Sequence, residues 1–143
     1  MDVRDQIDGY INDQPQPKRG ELEDLHGRII TASPGCKLWF LDGKNGDGKV
    51  VSNPNIGYGS VTRTYAGGQR NEFYRIGLSA NTGGISIYVI GVDDKRYLSD
   101  TFGGRLGKAK ITGYCIKFKS TKDVAVDVLE EIFADAMKSP RES

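Results

Sequence analysis

The sequence predicts an α+β domain: a mostly antiparallel β-sheet with N-terminal helices and a C-terminal helix packed on it. Three observations carry the prediction. Between Phe73 and Gly91, Tyr74, Ile76 and Leu78 and then Ile85, Ile87 and Val89 alternate with small or polar neighbours, joined by Asn81-Thr82-Gly83-Gly84, whose residues tolerate positive φ. That is a hairpin at a sheet centre. Apolar residues recur at helical spacing near both ends of the chain. A length of 143 residues suits a single domain over 1–143.

In chain order, Asp2 to Asn12 is a short amphipathic helix with Val3, Ile7, Tyr10 and Ile11 on its apolar side, weakened by Gly9. Asp13-Gln14-Pro15-Gln16-Pro17 stops it. Pro17 suits the first turn of a second helix whose stripe is Leu22, Leu25, Ile29 and Ile30, and Ser33-Pro34-Gly35 ends that helix. About residues 1–34 are thus N-terminal helices, 36–119 the sheet region and 120–139 the C-terminal helix.

In the sheet region, Cys36 to Leu41 reads as a strand, Asp42 to Gly48 as a Gly-rich turn, and a further strand starts near Val50. A long extended run follows from Ile56 to Ala66, and Gly67 to Asn71 is a turn into the central hairpin. Val92 to Arg96 is a loop, and Tyr97 to Leu106 a helical segment broken at Gly103-Gly104. Gly113 to Lys119 alternates Tyr114, Ile116 and Phe118 against Cys115, Lys117 and Lys119, a last strand with one wet face. Ser120 or Thr121 caps a final helix with the stripe Val124, Val128, Leu129, Ile132, Phe133, Ala136 and Met137, which Ser139-Pro140 ends.

Charge narrows the function. With 20 Lys and Arg residues against 19 Asp and Glu, the net charge of +1 gives no reason to expect nucleic-acid binding. The distribution is uneven: Met1 to Asp24 is rich in acids, whereas Arg105 to Lys122 carries Arg105, Lys108, Lys110, Lys117, Lys119 and Lys122. No leader and no membrane span is evident, so a cytoplasmic protein with Cys36 and Cys115 reduced is expected.

Chemical motifs are sparse. Asp42 to Gly48 misses the register of a calcium loop, because Lys44, Asp47 and Asn53 stand where an oxygen ligand, a glycine and a bidentate Glu are needed. His26, Cys36 and Cys115 fall short of a zinc site, and with one histidine a catalytic triad has little support. Cys115 or Lys110 would be the reactive group if the domain were an enzyme.

Gly57-Tyr58-Gly59-Ser60 falls where a strand should run. Paired glycines there imply either a bulge or a close approach by a ligand. In the second case Gly57 and Gly59 floor a groove walled by Tyr58 and Tyr65. The expected binding surface is that groove, with Gly57, Tyr58, Gly59, Arg63, Tyr65, Tyr88, Lys108 and Lys110: aromatic walls and a few cations suit a small anionic ligand or a protein partner.

Ile56-Gly57-Tyr58-Gly59, the hairpin ending in Ile85-Ser86-Ile87-Tyr88-Val89-Ile90-Gly91, Leu106 to Lys110, Gly113 to Phe118 and Asp127-Val128-Leu129 together resemble the bacterial YdhG-like family, a domain of unknown function. Gln16-Pro17 is similar as well. The resemblance implies a compact α+β domain with an antiparallel sheet and helices on one face, in a family mostly without assigned activity. The residues themselves point to a non-enzymatic binding domain, expected as a monomer or weak homodimer. The resemblance also implies an alternative, because some members are linked to frataxin-like delivery of Fe2+ for iron-sulfur or haem assembly. On that alternative a weak iron site would use Asp5, Asp8, Glu21 and Asp24.

Overall fold

Apolar residues at helical spacing fold Val3–Asn12 into α1 and Lys18–Ala32 into α2. Asp2 caps α1 by accepting a hydrogen bond from Asp5 N at 2.9 Å. The structure, a computed structural model, describes residues 2–64, 67–68, 70–90 and 96–138, with the backbone alone at 63, 64, 70, 71 and 138. The remaining elements are β1 (Leu38–Leu41), β2 (Asn55–Tyr58), β3 (Val61–Thr64), β4 (Arg70–Phe73), β5 (Ile76–Asn81), β6 (Gly84–Val89), α3 (Tyr97–Phe102), β7 (Lys110–Thr112), β8 (Cys115–Phe118) and α4 (Val126–Lys138). The fold is α+β. A six-stranded antiparallel sheet runs in the order β1-β2-β5-β6-β8-β7, and β3 and β4 form a separate hairpin.

Register decides which side chains share a face. Across the sheet Phe40, Ile56, Leu78, Ile87, Ile116 and Ile111 form one row, and all of these point to the helices. Against them lie Ile7 and Ile11 of α1, Leu22, Leu25 and Ile29 of α2, Leu98 and Phe102 of α3, and Leu129, Ile132 and Phe133 of α4. Each such fully buried side chain contributes about 1.5–3 kcal/mol of transfer free energy, so this layer dominates stability.

Polar ties hold the layers in place. Glu21 of α2 accepts from Ser120 Oγ at 2.8 Å and from Thr121 N at 3.0 Å. Arg28 binds Asp24 on its own helix and Glu130 on α4, at the solvated rim where such pairs contribute little. The Tyr10 hydroxyl accepts from Ala80 N at 2.8 Å and donates to the Pro54 carbonyl at 3.3 Å. Among the described residues no helix is long and apolar enough to cross a membrane.

Several elements differ from the sequence reading. The extended run from Ile56 is two strands in different sheets, because Gly59 takes a φ of 78° and turns the chain out of the main sheet. Tyr74 does not continue the central hairpin: Phe73 closes β4, β5 starts at Ile76, and the Tyr74 ring sits on the face opposite Ile76 and Leu78. Val50 belongs to a loop with a single bridge to Lys44. In that loop Asp42 Oδ1 accepts from Lys44 N, and Asn45 Oδ1 from Asp47 N and Lys49 N, so these oxygens close turns. Helix α3 stops at Phe102, and β7 is a strand that periodicity alone did not reveal. Ser120 caps a short 3-10 turn, Thr121–Asp123, and α4 begins only at Val126. The loop expected at Val92 to Arg96 lies outside the described residues except for Arg96, as does the Ser139-Pro140 stop.

Candidate functional site on the open sheet face

The face turned away from the helices carries small and polar residues. One row reads Trp39, Gly57, Gly77, Tyr88, Cys115 and Thr112, and the next reads Ser79, Ser86, Lys117 and Lys110. Gly57 and Gly77 are register partners, so two missing side chains leave a trough. The Tyr74 ring fills it: a Cβ on Gly57 would stand 2.5 Å from Tyr74 Cδ2, and one on Gly77 would stand 2.7 Å from Tyr74 Cε1. Phe73 stacks on Tyr74 at 4.1 Å between centroids, and Trp39 meets Phe73 edge-on at 6.0 Å. Burial, with Tyr88 and Cys115 adding to it, holds the Tyr74 phenol far above its ordinary value.

This aromatic cover leaves the β6, β8 and β7 side of the face open. There a cavity of about 750 Å³ is lined by Asn81, Ser86, Tyr88, Lys108, Lys110, Lys117 and Lys119 among others, and among the described residues no carboxylate is in the lining. Lys110 lies directly opposite Lys117 across the β7-β8 pair. Like charges at that spacing repel and destabilise a sheet. Among the described residues none of these four lysines forms an ion pair, whereas Arg105 pairs with Glu131 at 2.6 Å. The floor is polar, with Asn81 Nδ2 donating to Ser86 Oγ at 2.9 Å. Burial and the neighbouring Cys115 push the Tyr88 phenol up, and its hydrogen bond with Ser86 draws it partly back, so the phenol is neutral at physiological pH.

The residues expected to form the site divide accordingly. Tyr88, Lys108 and Lys110 line the cavity. Among the described residues Gly57, Tyr58 and Gly59 open onto no groove. Tyr58 shares the face of Ile56 and is fully buried beneath α2, Gly57 is roofed by Tyr74, and Gly59 is a turn against Met137 and Arg75. Tyr65 and the side chain of Arg63 lie outside the described residues. Lys117, Lys119, Asn81 and Ser86 were not expected at the site. The wet face of β8 pointed at the two lysines, but only the register with β7 brings Lys110 to Lys117.

Of the acidic residues, Asp5 and Asp8 are exposed on α1, Glu21 is held by Ser120 and Thr121, and Asp24 is held by Arg28. Among the described residues no three His, Cys, Asp or Glu side chains come together as a metal-holding group. Burial pushes the Cys115 thiol up, so it stays protonated at neutral pH, unlike a nucleophilic thiolate.

Tyr58 has a structural role through His26. Its hydroxyl lies 2.7 Å from His26 Nδ1, and burial depresses the histidine below its ordinary 6.5, outweighing the attraction of Asp8. A histidine depressed in the fold binds its proton more readily in the unfolded chain. The stability it contributes is therefore complete above 6.5 and is lost as pH falls from there toward the folded value. Urea midpoints measured at pH 7.5 and at lower pH are expected to show this decline, and His26→Gln is expected to flatten its share of it.

Comparison with protein-family models, curated proteins and solved structures found no match for this chain.

Proposed function

We propose that this chain is a binding domain that takes a small anionic ligand on the open face of its sheet. One observation carries the reading: Lys110 and Lys117 stand opposite one another across two strands, at the edge of a cavity that also holds Lys108 and Lys119 and, among the described residues, no carboxylate. Such a pair is a cost to the fold unless an anion occupies the space between. The cavity, about 750 Å³, lies within the range of small-ligand sites, roughly 300–1,000 Å³. Tyr88 and the Asn81-Ser86 hydrogen bond give the floor groups that orient a ligand. The reading takes the domain to be cytoplasmic, where both thiols stay reduced.

The test is a titration of 15N-labelled protein with inorganic pyrophosphate. Amide shifts are expected on β6, β7 and β8, centred on Tyr88, Lys110 and Lys117, and they should weaken as salt is raised because the lysines are solvated. A flat response on those strands, or one centred on α1 and α2, overturns the reading.

A further inference from the structure

Resting on that reading, we infer that the ligand is a nucleoside phosphate, with its base against Tyr88 and its phosphates between Lys110 and Lys117. The cavity is polarised along the strands. Tyr88 and Cys115 are register partners in one row, and two residues along each strand stand Ser86 and Lys117, themselves partners and followed by Lys110. Rows two residues apart on a strand are about 6.5–7 Å from one another. The cations therefore occupy one end of the cavity and the aromatic ring the other.

The aromatic end borders the covered half of the face. Tyr74, buried and lying across Gly57 and Gly77, brings its ring up to the side of Tyr88, and its hydroxyl is close enough to Tyr88 and Cys115 to feel both. Tyr88 lines the cavity at that end, and among the described residues no charged side chain shares the row of Tyr88, Cys115 and Thr112 that a planar group would cover. At the lysine end, Ser86 shares the row of Lys117 and Lys110 and Asn81 stands one row beyond, offering a hydroxyl and an amide to sugar or phosphate oxygens. A bare polyphosphate would use only the lysine end, and a neutral aromatic only the other. A nucleoside phosphate matches both ends.

Calorimetry with ATP and with inorganic triphosphate, which carry similar charge, separates this inference from the reading beneath it. ATP is expected to bind roughly tenfold tighter, the size of one base stacked on an aromatic ring. Tyr88→Leu, which keeps apolar volume and loses the ring, is expected to bring ATP to the triphosphate's affinity and leave the triphosphate unchanged. In the unaltered protein, saturation transfer between the adenine protons and the Tyr88 ring is expected too. A short oligothymidylate distinguishes sources: binding tighter than ATP with a steeper salt dependence assigns the nucleoside phosphate to a strand, and weaker binding assigns it to a free nucleotide. Equal affinity of ATP and triphosphate overturns the inference and leaves the anion site standing. Binding of neither overturns both.

Discussion

Phe133→Ala is expected to lower the free energy of unfolding by about 3–5 kcal/mol, the range for deleting a buried phenylalanine. Phe133 is among the largest fully buried side chains of the chain and sits in the α4 stripe with Leu129, Ile132 and Ala136, between the sheet and α2. Close packing on all sides leaves the void no easy way to collapse, so the cavity term adds to the lost transfer free energy. Against a total stability of about 5–15 kcal/mol the variant would retain only a fraction of the margin. Urea unfolding should show a lower midpoint with an unchanged slope. Ala134, one residue along and exposed, serves as the control: Ala134→Ser should leave the midpoint nearly where it was. A loss below about 1 kcal/mol for Phe133→Ala would mean that α4 does not close the core.

The second large effect is on binding, and it runs opposite to stability. Lys110→Glu replaces a cross-strand repulsion against Lys117 with an attraction, which is expected to stabilise the sheet by about 0.2–1 kcal/mol. The same substitution places a negative charge where the anion sits. Losing one charged hydrogen-bond donor alone is expected to weaken pyrophosphate binding by roughly tenfold to a hundredfold. A variant that gains stability as it loses binding is the signature of a position kept for a ligand, whereas a lysine kept for packing of its aliphatic stem would lose stability on substitution.

Much of the architecture was readable from periodicity. α1, α2, the hairpin of β5 and β6, β8 and most of α4 carry strong patterns, because each buries one face of a regular element and the apolar residues recur accordingly. What failed did so for local reasons. Ile56 to Ala66 holds strand-favouring residues on both sides of Gly59, whose left-handed φ turns the chain, and the apolar parity slips there from Ile56 and Tyr58 to Val61, so two strands of different sheets read as one extended run. β7 has three residues, too few for a period to show. Tyr74 fits the alternation of β5 by parity, yet it lies outside that strand and covers the other face.

For the site the signals were mixed. Tyr58 was read as a groove wall because glycines flank it, but the same alternation puts it with Ile56, on the face that the helices bury. Lys108, Lys110, Lys117 and Lys119 were visible as a basic stretch of neutral net consequence. Their convergence depends on the β7-β8 register, and Arg105 of the same stretch instead pairs with Glu131; neither is written in spacing. The paired glycines did mark a close approach, though the group that approaches Gly57 is the chain's own Tyr74.

The most direct measurement of the anion site is the pyrophosphate titration of the unaltered protein and of Lys110→Glu side by side, with urea midpoints taken on the same samples. Shifts are expected on Tyr88, Lys110 and Lys117 in the first protein, their loss in the second, and a midpoint for the second that is equal or higher. Undiminished binding by Lys110→Glu, or no binding by either protein, would contradict the anion site.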